Sequence, residues 1–363
     1  MTAGVVVCAF GEPAAPSREA LVDYLERIFH RNAAIESPAS DEAARTRARQ
    51  LAERRAPGLL AEYEAIGGSP MNAQAAALGE AVAATLADRG HPVEPYLGLQ
   101  FVEPFVEDAV DAARADGVDR LVGLPLYPLC GPSTTVAALE RLGAAVDAAV
   151  AETGWTATLD AVSGWHRHPS YPRLRADNVV SSAEANGLDL DDPATALVCS
   201  AHGTPISYLD AGSRYRDYVE EHVDQLAGAL GLDDVVLGYQ NHANRDVAWT
   251  EPAVQDALAG LDADRVVVEP VSFLHEQSET LYELDVELAE TAADLGLDFF
   301  RVPLPTDDPS LVELLADLVE PLVAGDATGA TAADRGATDL RPCECVPDGR
   351  TVCLNAPIGG AAR

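Results

Sequence analysis

Lysine is missing from this chain: the 24 basic residues among its 363 are all arginine, set against 59 acidic ones for a formal net charge of -35. So negative a surface repels nucleic acid and anionic lipid, and neither is expected as a partner. At molar salt the Debye length falls to about 3 Å and the self-repulsion is screened, which fits a salt-adapted, halophilic cytosol. Long apolar runs are missing as well. None approaches the roughly 18 residues of a membrane span, and the start "MTAGVVVCAFGEP" enters a short strand-like run with no basic leader before it. A cytoplasmic protein without stable membrane insertion is expected. Cysteine is scarce, with six residues, and in that compartment no disulfide framework is expected. The rest of the composition, 48% hydrophobic with 28 Gly and 24 Pro, suits one large or two medium globular domains and leaves monomer and homodimer equally open.

Short β-branched runs such as "GVVVCAF", "DRLVGLPLY", "ATALVCSA" and "DRVVVEPVSF" alternate with Ala-, Leu- and Glu-rich segments of helical period. That alternation predicts an α/β fold of parallel sheets flanked by helices. "VCAFGEP" at residues 7–13 echoes "VCSAHGTP" at 198–205, and "DRLVGLPLYP" at 119–128 echoes "DRVVVEPVSF" at 264–273. Two echoes in the same order predict two similar Rossmann-like halves, residues 1–155 and 156–325, each a four-stranded parallel sheet with helices on its faces. Ligands of such sheets bind beyond the carboxyl ends of the strands, so Phe10, Tyr127, His202 and Phe273 should face one cleft between the halves. Residues 326–341 are small, polar and without period, and read as a flexible linker to a Cys-containing tail, 342–363.

His202 ends a strand run just before Gly203 and Pro205, a position from which an imidazole serves as base or metal ligand. In "PVSFLHEQSETLYELDVELAE", Glu276, Glu279, Glu283, Glu287 and Glu290 recur at intervals of three and four, which on an α-helix gathers them on one side. Such a row could pass protons or a hard cation inward, although with 59 acidic residues an exposed stripe needs no function. Trp249 is a candidate aromatic wall for a flat ligand. Trp165 and His166 are expected to brace the cleft from the first strand of the second half. Cys343, Cys345 and Cys353 form a C-x-C-x7-C pattern that points to a metal, with Cys130 the best fourth ligand from the body of the fold. Four thiolates suit an iron–sulfur cluster or zinc alike.

Taken together these segments resemble the ferrochelatase family, the class II chelatases, along nearly the whole chain. "FGEP" looks like the family's first-strand turn, "IGGSP" at residues 66–70 its GGSP motif, and "LPLYP" is followed by a Ser-Thr-Thr segment as in many members. "SGWHRHPSY" is similar to its W-H-x-H-P segment, "SAHGTP" to its catalytic-His motif and "SETLYELD" to its catalytic-Glu motif. The resemblance implies a lyase forming metal–nitrogen bonds, which inserts ferrous iron, Fe2+, into a porphyrin in haem biosynthesis. It gives His202 the role of proton acceptor or metal-contacting base and Glu279 that of its partner, both beside the substrate iron. Glu283 and Glu287 match a proton or metal path, while Phe10, Ser69, Tyr127 and Trp249 match porphyrin contacts. Glu276 and Glu290 stay ordinary acidic surface. Where the family usually has a second His, two residues before the catalytic Glu, this chain has Gln277, with His275 two places earlier. Trp249 aligns only with one residue inserted after Tyr239.

Phe10 and the Cys-rich tail look most like the actinobacterial type, which the resemblance ties to coproporphyrin III and to a [2Fe-2S] cluster on Cys130, Cys343, Cys345 and Cys353. A highly charged segment, "SPASDEAARTRARQLAERRAPGLL", replaces the apolar lip of membrane-associated relatives and favours that tetracarboxylate porphyrin over protoporphyrin IX. Arg residues should hold its propionates. Two alternatives remain: a cobalt or nickel chelatase acting on sirohydrochlorin, and a non-catalytic tetrapyrrole or iron sensor motivated by Gln277.

Overall fold

The valine-rich runs become buried strands because their side chains have a sheet face to fill on either side. A computed structural model describes residues 2–14, 16–36, 38–241, 247–324 and 339–355. The first half runs β1 (Ala3–Ala9), α1 (Arg18–Arg31), α2 (Asp41–Ile66), α3 (Met71–Asp88), β2 (Val93–Leu99), α4 (Val106–Ala115), β3 (Arg120–Pro125), α5 (Ala137–Thr153) and β4 (Thr158–Val162). Helix α6 (Ser170–Ala185) leads into the second half: β5 (Thr195–His202), α7 (Ile206–Asp210), α8 (Tyr215–Leu230), β6 (Val235–Gln240), α9 (Val254–Ala259) and β7 (Arg265–Pro270). It closes with α10 (Ser278–Leu281), α11 (Ala289–Asp294), β8 (Asp298–Arg301) and α12 (Pro309–Val323), after which the tail adds β9 (Arg341–Pro342) and β10 (Thr351–Cys353). Local chemistry sets several helix ends: Ser17 and Ser40 cap α1 and α2, and Gly67, at φ 76°, terminates α2 in the left-handed region.

The strand order is β2-β1-β3-β4 in the first sheet and β6-β5-β7-β8 in the second, all parallel, so the two Rossmann-like halves share one topology. Register sharpens the match: Cys8 pairs with Pro125 where Ser200 pairs with Pro270. Gly98 and Gly238 are likewise equivalent. A Cβ at either would press on the helix that follows, at 3.2 Å from Val106 Cα and 2.6 Å from Val254 Cα, so both halves need glycine there.

Three expectations change. The run 158–162, assigned to the second half, pairs with β3, so the first half extends past residue 155 and Trp165 and His166 follow a strand of the first sheet. Both are fully buried behind the cleft, Trp165 donating its indole N–H to the Pro125 carbonyl. The tail is no separate unit either: β10 pairs parallel with β4, and β9 antiparallel with β10, widening the first sheet to six strands. Of the expected linker, residues 326–338 lie outside the described residues, as do 356–363 of the tail; its last residue, Arg341, is already in β9. Finally α12 returns to the first half, where Arg89, which caps the end of α3, binds Asp317 at 2.8 Å and Glu320 at 2.9 Å, with Glu313 beside them. With no lysine in the chain, such forked guanidinium–carboxylate networks do the work of joining helices.

Candidate active site

The carboxyl ends of both sheets open onto one cavity, lined by Phe10, Tyr127, His202 and Phe273 and further by Tyr24, Phe29, Leu59 and Trp249. Phe10 packs on Phe101 at 4.5 Å and edge-on to Tyr24 at 6.5 Å, while the Tyr127 hydroxyl accepts from Gln100 Nε2 at 2.8 Å. These contacts fix an aromatic wall on the side of the first half. Ser69, expected against the porphyrin, is not among the lining residues; it sits behind them, facing the carboxyl of Glu12. No arginine other than Arg55 of α2 lines the cavity among the described residues. Arg55 holds Glu62 through two bonds of 2.7 Å.

His202 and Glu279 meet in this cavity, Nε2 to Oε1 at 3.1 Å. The His202 Nδ1–H donates to the Gly203 carbonyl at 2.6 Å, and a carbonyl can only accept, so Nε2 is the nitrogen turned to the carboxylate. Gln277 donates its amide to the other Glu279 oxygen at 2.7 Å, which gives the residue that departs from the family pattern a hydrogen-bonding place beside the carboxylate. His275 is buried, and burial pushes its imidazole down to about 4, so it is neutral. For His202, burial favours the neutral ring too, but the Glu279 charge beside it, with Glu283 behind and the Gly203 carbonyl, outweighs this and pushes it up to about 9. His202 is therefore held as imidazolium against the Glu279 carboxyl.

The acidic row does not lie on an α-helix. After the single turn of α10 the chain winds as a π-helix over Glu283–Leu288, where the Glu287 N–H reaches back five residues to the Tyr282 carbonyl at 3.0 Å. Glu283 lines the cavity and Glu287 is exposed, so the row runs from the pair to the surface. Burial first, then Glu279, pushes the Glu283 carboxyl up to about 8, and burial with Glu62 nearby raises Glu287. Gln240, at the end of β6, donates to Glu283 at 3.1 Å and to the Glu279 carbonyl at 2.9 Å. Glu276 is not plain surface: it binds Arg301 at 2.9 Å and accepts from the Leu304 N–H at 2.9 Å and the Thr280 hydroxyl at 2.7 Å. Glu290 is exposed. Sequence reasoning missed Gln240, Glu12 and Arg55, although Gln240 and Glu12 sit where the strand-end rule that finds His202 and Phe10 would have flagged them.

Away from the cavity, Cys343 is within hydrogen-bonding reach of Cys345 and Cys353, and Cys345 of Cys130. Ser163 donates its hydroxyl to the Cys343 sulfur at 3.0 Å, and the Tyr218 hydroxyl lies 3.8 Å from that of Cys345. No group of three or more His, Cys, Asp or Glu side chains is arranged to hold a single metal ion among the described residues. Cys8 and Cys199 lie inside strands, where burial raises their thiols.

The architecture, two α/β halves over one polar pair in an apolar cleft, is that of a chelatase. Its fold of two α/β halves is shared with SirB from Bacillus subtilis with Fe3+, at a TM-score of 0.52 and 12% identity, covering 90% of this chain and 97% of that one. The chain belongs to the ferrochelatase family, whose model, Ferrochelatase, matches residues 2–322. The ferrochelatase of Picosynechococcus sp. is 35% identical over 266 residues, 70% of this chain and 66% of that relative, so the chain spans just under two thirds of its length. The coproporphyrin III ferrochelatase of Anoxybacillus flavithermus is 30% identical over 327 residues, 87% of this chain and 95% of the relative. Among the described residues no helix is long and apolar enough to cross a membrane.

Proposed function

We propose that the protein is a ferrochelatase that inserts Fe2+ into a porphyrin, coproporphyrin III in preference to protoporphyrin IX, as a step of haem biosynthesis. The observation that carries this reading is the His202–Glu279 pair, 3.1 Å apart and facing an apolar cavity, in a chain of this family. Insertion exchanges one dication for two pyrrole protons, so the site must take up protons beside an arriving positive charge. His202 begins as imidazolium. A dication nearby repels that proton and lowers the imidazole's affinity for it, freeing Nε2 to accept from a pyrrole while Glu279 shares the load. Glu283 and the exposed Glu287 then carry protons outward. Phe10, Tyr127, Trp249 and Phe273 hold the flat macrocycle.

For the substrate, α2 brings the charged pair Arg55 and Glu62 to the cavity edge beside Leu59. Arg55 can exchange Glu62 for a propionate. The Ser133 and Tyr208 hydroxyls and the Asn32 amide, joined at 2.8 and 3.1 Å, offer a second polar edge suited to carboxylates. Anaerobic incubation with Fe2+ and either porphyrin at high salt, followed at the Soret band, tests the reading. Metallation of coproporphyrin III should be the faster; no metallation of either would overturn the activity, and faster reaction of protoporphyrin IX would overturn the preference.

For the tail we propose a [2Fe-2S] cluster on Cys130, Cys343, Cys345 and Cys353, with one zinc on the same thiols as the competing occupant. Cys345 lies within reach of both Cys130 and Cys343, and Cys343 of Cys353, so the four thiols form one connected row. Ser163 and the backbone N–H groups of Val346 and Asn355 point donors at the sulfurs, the second shell that thiolate ligands need. Bound there, the cluster would supply one-electron chemistry. Visible absorption with two irons per chain supports it; a colourless protein with one zinc removes it.

A further inference from the structure

Glu12 is buried, 5% exposed, and nothing in the pairing of His202 with Glu279 uses it. It lies just beyond β1 of the first half, where the Asn72 side chain clamps its backbone at 3.0 and 2.7 Å. Its carboxyl points across the interface to the second half. There it accepts the Ser278 hydroxyl at 2.5 Å and the Ser278 N–H at 3.3 and 3.4 Å from its two oxygens. Ser278 is the first residue of α10 and the chain neighbour of Glu279. The carboxyl thus binds two donors at the start of the turn that carries the reacting carboxylate, one of them a helix-terminal N–H with no partner inside its own helix. The titratable groups around it are Glu279 from α10 and Tyr63 and Tyr24 from α2 and α1. Burial, only partly opposed by the Ser278 and Ser69 hydroxyls, raises the Glu12 carboxyl.

We infer that Glu12 is a positioning residue for metal insertion: from the first half it pins Ser278 and so sets the distance between Glu279 and His202. This rests on the proposed function, and the first measurement is chosen to stand without it. Among the described residues, the charged or titratable groups around His202 include Glu279 and Glu283 from the segment after β7 and Tyr215 of α8, whose hydroxyl donates to the His202 carbonyl at 3.1 Å. If Glu12 sets the pair, Glu12→Ala loosens it and the His202 imidazole, followed by NMR titration, moves to lower pH, with no shift in Glu12→Gln, whose amide carbonyl still accepts from Ser278. In turnover, Glu12→Ala should lose about 10- to 100-fold in kcat, the scale of an ångström of misplacement. Porphyrin affinity should hold within about threefold, since the wall is untouched. Ser278→Ala should lose as much as Glu12→Ala, and the double variant no more than either. Glu12→Gln should keep at least about a third of kcat. An unmoved His202 titration in a folded Glu12→Ala overturns the inference, and so does a Glu12→Gln as impaired as Glu12→Ala. A wild-type protein that metallates no porphyrin while the titration shift is seen sinks the proposed function and leaves standing only that Glu12 positions the His202–Glu279 pair.

Discussion

The two halves share one topology and divide the labour unequally. With Cys8 and Ser200 in register, and Pro125 and Pro270 likewise, continuing along the chain sets Phe10 against His202, Glu12 against Thr204, Ser133 against Ser278 and Thr134 against Glu279. The same positions carry an imidazole and a carboxyl in one half and a phenyl ring and a hydroxyl in the other. All eight line the cavity. The difference teaches that equivalent positions of two like halves line one cavity, one half bringing the imidazole–carboxyl pair and the other aromatic and hydroxyl side chains, a division that the proposed function turns into reactive groups against wall and bracing. The serines make the point most directly. Ser278 is held by Glu12 of the opposite half, and Ser133 bonds Tyr208 of the opposite half at 3.5 Å together with Asn32. Each half reaches over to the other's helix start, but only one of those helices presents an acid.

Converting one half toward the other gives the largest expected effect. His202→Phe, which installs the first half's residue, should lower metallation by about three orders of magnitude, the middle of the range for losing a positioned base. Phe10→His added to it should restore nothing, because Thr134 offers no carboxylate; recovery in the Soret assay would break the proposed division. Glu279→Gln comes next, with a loss of about 10²-fold and a signature in pH. The wild-type His202 holds its proton up to about 9 because Glu279 outweighs burial, so kcat/KM for iron should climb as pH rises toward that value. With the carboxylate gone burial prevails, the imidazole releases its proton earlier, and the rising limb moves to lower pH. A limb that stays in place means another group titrates.

Much of this inequality is legible in the sequence, because the residues at strand ends are local. "VCSAHGTP" shows a strand, a turn and the His between them, and the echo in "VCAFGEP" shows that a second copy exists. What is not legible is set by partners far along the chain. "TATLDAV" has the same alternation whichever sheet receives it, and only its pairing with β3 puts β4 in the first half. The tail's strand depends on the open edge of β4. The π-turn has no signature in "ELDVEL", and Glu276 looks like its neighbours until Arg301, on β8, is brought to it.

On the passive side, Phe10→Ala should raise the KM for porphyrin about tenfold, as expected for an aromatic contact worth about 1.4 kcal/mol. Its pH limb should stay at the wild-type position, since the ring carries no charge; a shifted limb would mean the wall also tunes the base.

The smallest effects separate two glutamates of the same stripe. Glu276 occupies the place that Gly131 holds in the first half, and the second half uses it as a brace: Arg301, 7% exposed, is shared between Glu276 and Asp285, and Glu276 also takes the Leu304 N–H. Glu276→Gln leaves that guanidinium with one carboxylate and should cost about 1–3 kcal/mol of stability, seen as a Tm lower by several degrees, with kcat/KM within about threefold. Glu290 is exposed, so Glu290→Gln should change stability by less than about 0.5 kcal/mol. The spacing that places both residues in one stripe carries no information about this contrast, because the cost is set by the desolvated guanidinium left behind. Equal melting temperatures for the two variants would mean that Arg301 is satisfied by Asp285 alone and that the second half needs the brace no more than the first.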